Sequence, residues 1–221
     1  MTYTLIIFDL DGTLLDTSEG ICNSCLYAAN KLNLQKKSKQ TISNLIGQPI
    51  YDIYLNEYGL KPEIAETAVS LFRGDYDRNG KTMAQPYPGM QELLQSLKED
   101  RKIIAIVTMK PSSTAEDMLN RFNFLNNIDV IYGRGDNESM SKKRMIEMCM
   151  KKYHVTPRDC IVVGDSEHDR NGAREANTNF IGVTYGYGFK EERDVTSDYH
   201  TFVANNSLEL LDILLKDTKT K

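Results

Sequence analysis

Short apolar, β-branched runs recur along the chain with longer amphipathic stretches between them, and this alternation points to a parallel sheet covered by helices. Strands are predicted over 5–10, 103–108, 129–132, 160–164 and 179–183, and helices over 90–99, 112–122, 142–153 and 168–176. Each crossover is long enough to return the next strand parallel to the last. The fold class expected is therefore α/β.

One interval breaks the rhythm. Between the first and second strands the chain runs from 16 to 84, far more than one helix requires, and its pattern is helical. Ile21, Cys25, Leu26, Ala29 and Leu32 share one helical face, as do Ile64, Ala68, Leu71 and Phe72 later. Gly47-Gln48-Pro49 and Gly59 mark turns, and Gln85-Pro86-Tyr87-Pro88-Gly89 is a stiff return linker. The expected organisation is a core domain of 1–15 and 85–221 with a small helical cap, 16–84, inserted after strand one. A length of 221 residues suits one domain carrying such an insertion. The tail, 207–221, is predicted as an amphipathic helix through Leu208, Leu210, Leu211, Ile213 and Leu214 that frays at its polar end.

Charge and composition exclude several classes of function. With 27 basic and 31 acidic residues the net charge is -4, so no general basic field is available to hold nucleic acid. No apolar run approaches the roughly 18 residues of a membrane-spanning helix. The N-terminal stretch has no basic leader and no small-residue cleavage site, and four irregularly spaced cysteines suit a reducing compartment, so a soluble, cytoplasmic protein is expected. Cys22-x-x-Cys25 falls inside a predicted helix without a second pair, which fits packing better than zinc or redox chemistry.

The chemistry gathers at strand ends. Strand one closes on Asp9-Leu10-Asp11-Gly12-Thr13, and carboxylates two apart on an extended segment project to the same side. In open α/β sheets ligands bind beyond the carboxyl ends of the strands. Strand two ends at Thr108, followed by Met109 and Lys110, and a later strand ends at Gly164-Asp165, followed by Ser166-Glu167-His168-Asp169. Three separate segments thus bring polar groups to one rim. A hydroxyl and backbone amides after Thr108 suit phosphate oxygens, Asp9 and Asp165 are hard ligands for magnesium, and Lys142 or its neighbour Lys143 would compensate a dianionic phosphate.

These residues resemble the four ordered motifs of the haloacid dehalogenase superfamily: Asp9-Leu10-Asp11-Gly12-Thr13-Leu14, then Thr108, then Lys142, then Gly164-Asp165 with Asp169. The resemblance spans nearly the whole chain and implies a Rossmann-like doubly wound parallel sheet core with a small helical cap domain. It further implies that Asp9 is the nucleophile attacking phosphorus and that Asp11 is the acid and then the base. Mg2+ would be held by Asp9, Asp165 and the backbone carbonyl of Asp11, with Asp169 supporting from behind. Thr108, the Met109 amide and Lys142 would hold the phosphate oxygens. The family commonly carries Ser or Asn where Met109 stands, so a side-chain hydrogen bond is lost there. The resemblance gives His168 no role.

The presence of Asp11 favours phosphoryl transfer over carbon-halogen or carbon-phosphorus cleavage. The resemblance is strongest to phosphoglycolate phosphatase-like enzymes, through Asp16-Thr17, Ile46-Gly47-Gln48-Pro49, Tyr87-Pro88-Gly89 and Gly182-Val183 with Tyr185-Gly186-Tyr187-Gly188. The partner expected is a small phosphorylated metabolite, with Gln48, Arg73 and Tyr76 as cap residues that could select it. A β-phosphoglucomutase-like phosphotransferase, a nucleotidase or pyrophosphatase of the same fold, a non-catalytic phosphate sensor and an interaction module using the C-terminal helix are the alternatives. Tyr185-Gly186-Tyr187-Gly188-Phe189 either borders the site or forms a glycine-rich turn.

Overall fold

The computed structural model describes residues 3–134, 140–195 and 201–215. The chain divides into two compact units, one of Met1–Leu15 with Pro86–Lys221 and one of Asp16–Gln85. It leaves the first unit within β2 (Leu15–Asp16) and returns within β3 (Gln85–Pro86).

The first unit is a six-stranded sheet. Its strands are β1 (Leu5–Phe8), β4 (Ile103–Thr108), β5 (Val130–Gly133), β6 (Cys160–Gly164), β7 (Asn179–Val183) and β8 (Thr201–Ala204), in the spatial order β5-β4-β1-β6-β7-β8 with every pairing parallel. From β1 the chain builds outward first through β4 and β5, then on the other side through β6, β7 and β8. The order therefore reverses at β1, and in open α/β sheets such a switch point at the carboxyl edge is where ligands bind. Every residue of β1, β6 and β7 is buried, as expected of strands covered on both faces. Leu5, Ile7, Ala105, Val107 and Val162 share a core with Met145, Ile146 and Cys149 of α7 (Lys142–Tyr153) and Ala173 of α8 (Glu167–Glu175). Ile6, Phe8, Ile104 and Ile106 alternate with them, and α5 (Met90–Glu99) buries Met90, Leu93, Leu94 and Leu97. Each such side chain contributes about 1.5–3 kcal/mol on burial, so the sheet is a stiff mounting for its loops.

The differences from the sequence expectations have local causes. Strand β1 ends at Phe8 rather than at 10 because the Leu10 carbonyl is taken by the amides of Leu14 and Leu15, which curls the chain away from the sheet. Helix α6 (Ser112–Asn120) stops short of 122, since Asn123 adopts a left-handed φ of 58° and opens a 3-10 turn over Phe124–Asn127. Helix α8 starts and ends one residue earlier than predicted because Ser166 and Asp169 form a reciprocal capping box. Strand β8 was not expected: four residues at the sheet edge carry too little periodicity to stand out. Helix α9 runs over Ser207–Leu215, and the end of the predicted tail helix, 216–221, lies outside the described residues.

The second unit is helical: α1 (Ser18–Lys31), α2 (Lys39–Ser43), α3 (Ile50–Asp52) running into a π-helical turn, Ile53–Glu57, and α4 (Pro62–Arg78). Its interior holds Cys25, Ala28, Ile42, Ile53, Ala65 and Ala68, all fully buried. Two polar groups pin α1 to its neighbours: Ser24 donates to Asp75 Oδ2 at 2.8 Å, and the Tyr54 hydroxyl donates to the Cys25 carbonyl at 2.9 Å. Cys22 and Cys25 are buried here, and burial pushes the Cys25 thiol up to about 11, the state of a packing residue rather than a thiolate ligand. Among the described residues no helix is long and apolar enough to cross a membrane.

Candidate active site

The three loops at the carboxyl edge deliver the residues. Asp9 follows β1 directly, its amide still bonded to the Val163 carbonyl at 2.9 Å, so its backbone is held by the sheet. Asp165 follows β6 in the same way, and Thr108 closes β4. Lys142 is the first residue of α7, where the Ser141 hydroxyl caps the helix by accepting from the Arg144 amide at 3.3 Å. Asp169 sits at the third position of α8, held by the hydroxyl and amide of Ser166.

Asp9, Asp165 and Asp169 are all buried, and they offer carboxylate oxygens that lie within 4.8 Å of one another. The Lys142 ammonium donates to Asp9 Oδ1 at 2.8 Å and also to Asp169 Oδ1. Lys143 instead points along the helix surface toward Glu147, its side chain 44% exposed. The structure thus distinguishes the two candidate lysines, because helix α7 turns only its first residue into the crevice.

Electrostatics there are under tension. Burial raises the Asp9 carboxyl well above the usual range; Lys142 opposes this, and Asp169, Asp11 and Asp165 add to it. Burial, then Asp169, raises Asp165 to about 6, while the amides of Tyr187 and Gly188 and then Lys142 pull it back. Desolvation alone would lower the Lys142 ammonium, yet Asp169 and Asp9 outweigh it and keep it protonated. Three carboxylates gathered round one ammonium would, if all were ionised, leave two negative charges uncompensated in a buried volume, a deficit that a divalent cation balances. The donor set is all hard oxygen, which suits magnesium.

Asp11 is not part of this cluster by its side chain. Its carboxylate pairs with Lys110 at 2.7 Å, a contact that sequence reasoning did not anticipate although it quoted Lys110 in passing. Only the fold brings these two loops together, since Asp11 and Lys110 follow adjacent strands. The Lys110 amide donates to Thr108 Oγ1 at 3.2 Å, which leaves the buried Thr108 hydroxyl proton for another acceptor. Met109 is 44% exposed. Asp169 is buried beside Asp9 and Asp165, with one oxygen held by Lys142 and the other by Ser166.

His168 is exposed on α8. Gln48, Arg73 and Tyr76 belong to the helical unit: Gln48 and Arg73 are exposed, whereas Tyr76 is buried with its ring stacked on Phe72 at 5.6 Å. The main-chain donors of Tyr187 and Gly188 were also missed, because a glycine-rich turn shows nothing in its sequence of where its amides point.

Comparison with known proteins follows the same lines. The family model described as haloacid dehalogenase-like hydrolase matches residues 6–183. A 5'-nucleotidase of Pseudomonas aeruginosa is 30% identical over 193 residues, covering 87% of this chain and 87% of its own length. A phosphoglycolate phosphatase of Vibrio vulnificus is 29% identical over 220 residues, 96% of each chain. Among solved structures, that of a predicted phosphatase from Clostridium acetobutylicum superposes with a TM-score of 0.87 at 30% identity, over 97% of this chain and 99% of that one.

Proposed function

The chain belongs to the haloacid dehalogenase-like hydrolase family, and from that membership we propose that it is a magnesium-dependent phosphatase acting on a small phosphate monoester. The observation that carries this reading is the buried triad of Asp9, Asp165 and Asp169 with Lys142 against Asp9, a set of hard oxygen donors short of positive charge.

In the proposed cycle a carboxylate oxygen of Asp9 attacks phosphorus, and the bond from phosphorus to the leaving oxygen breaks. Asp11 gives its proton to that oxygen. Water then attacks the aspartyl phosphate, passing a proton to Asp11, and the bond from phosphorus to the Asp9 oxygen breaks to free inorganic phosphate. Lys142, already at Asp9, lies within reach of a phosphate oxygen there, and the Thr108 hydroxyl and Met109 amide supply further donors. Lys110 fixes the orientation of the Asp11 carboxylate between turnovers. Asp9 and Asp165, with the Asp11 carbonyl, would hold Mg2+, and Asp169 with Lys142 would support them. Bound there, the ion screens the repulsion between an anionic nucleophile and an anionic phosphate.

Phosphoglycolate is the leading substrate, supported by the relative of that name that matches along 96% of both chains. The 30% identical 5'-nucleotidase favours a second reading, a nucleoside monophosphate. Four buried, unpaired cysteines accord with a reducing cytoplasm. Phosphate release from phosphoglycolate, sugar phosphates, nucleoside monophosphates and pyrophosphate, with magnesium or with chelator, tests the proposal. Turnover is expected with magnesium only, and Asp9→Asn is expected to reduce it at least about a thousandfold. Turnover that survives Asp9→Asn would exclude Asp9 as nucleophile.

A further inference from the structure

The turn after β7, Tyr185-Gly186-Tyr187-Gly188-Phe189-Lys190, has no part in the phosphoryl chemistry above, yet it is bound to Asp165 at three main-chain points. The amides of Tyr187 and Gly188 both donate to Asp165 Oδ2, at 2.6 and 3.2 Å, and the Phe189 amide donates to the Asp165 carbonyl at 2.8 Å. The turn is itself anchored at its start and bridged within itself. The Tyr185 hydroxyl donates to the Thr13 carbonyl at 3.1 Å, with its ring 4.8 Å from that of Tyr87, and the Lys190 ammonium donates to the Gly186 carbonyl at 2.7 Å.

Close approach explains the glycines. A Cβ on Gly186 would overlap the Gly12 carbonyl and the Asp165 side chain, and one on Gly188 would lie 2.5 Å from the Asp165 carbonyl. Gly12 presses from the opposite side, where a Cβ would overlap Asp165 Oδ2. Asp165 is therefore clamped, with one oxygen committed to two main-chain donors. A carboxylate held in this way is poorly suited to gripping an ion with both oxygens, the mode available to calcium with its six to eight ligands; magnesium takes six ligands in a strict octahedron.

We infer that the 185–190 turn is the positioning element for Asp165, presenting a single carboxylate oxygen to the metal and thereby favouring magnesium over calcium. The inference rests on the magnesium reading above, and its test separates the two. Calorimetric titration of the metal-free full chain with magnesium and with calcium would be run for wild type, Tyr185→Phe, Lys190→Met and Gly186→Ala. The first two substitutions loosen the anchors without crowding the turn. Gly186→Ala is expected to weaken magnesium binding about tenfold or more, as loss of support behind a metal ligand does, and the anchor variants by smaller factors. In all three the ratio of magnesium to calcium affinity falls. Should Gly186→Ala fail to fold, the two anchor variants decide. Unchanged magnesium affinity in those variants, or a parallel loss of both ions, overturns the inference while leaving the magnesium reading in place. A wild-type chain that takes up neither ion overturns both.

Discussion

Lys142 shows how one side chain can carry both stability and chemistry. Its ammonium touches Asp9 and Asp169 in a site where its own side chain is only 10% exposed. Removing one partner from a buried charge cluster strands the others, at a cost of about 3–5 kcal/mol. Lys142→Met should therefore lower the stability of the metal-free protein by about that amount in urea unfolding. Lys143→Met, at an exposed position, should stay within about 0.5 kcal/mol of wild type. Equal effects from the two substitutions would contradict the placement of Lys142 in the crevice. Adjacent lysines look alike in a sequence, and only the phase of the helix separates them.

Helix α7 sets that phase through its first turn. The Ser141 side chain accepts from the Arg144 amide, while Met145, Ile146 and Cys149, on the same face as Lys142, lock that face into the sheet's core. A cap of this kind contributes about 1 kcal/mol. Ser141→Ala should lower the urea midpoint accordingly with an unchanged slope, and it should reduce turnover several-fold because Lys142 is the residue just inside the cap. A loss of stability with full activity would show that packing alone holds Lys142 in place. A comparable economy governs α8, where Asp169 both completes a capping box and joins the carboxylate cluster. The sequence shows an Asp three residues after a Ser, which is a helix start signal; its second role depends on β6 lying beside β1.

For the molecule as a whole, the site couples stability to pH and to metal. Asp165 titrates at about 6 in the folded chain, above an ordinary aspartate near 4, and Asp9 is raised in the same direction. Between those values the folded state binds more protons than the unfolded state. The stability that Asp165 contributes is thus present below about pH 4 and lost as pH rises through about 6, and that of Asp9 is likewise lost as pH rises. A divalent ion binds their ionised form and reverses the loss. The rise in thermal midpoint on adding magnesium should accordingly be larger at about pH 7.5 than at about pH 5, measured by thermal scanning of one preparation. An equal rise at both values would contradict a metal site built on Asp9 and Asp165.

Local chemistry in the sequence was enough for the α/β class, for every strand of the main sheet except β8, and for picking out Asp9, Asp11, Thr108 and Asp165 as candidates at the strand ends. Strand ends are marked by apolar runs that stop at polar residues, and these signals are short-range. The pairing of Lys110 with Asp11, the entry of Asp169 into the carboxylate cluster and the grip of the 185–190 turn on Asp165 were decided by tertiary structure alone. Each depends on which strands lie side by side and how a helix is rotated against them. The free energy that fixes both comes from burial summed over the whole core, and no local segment encodes it.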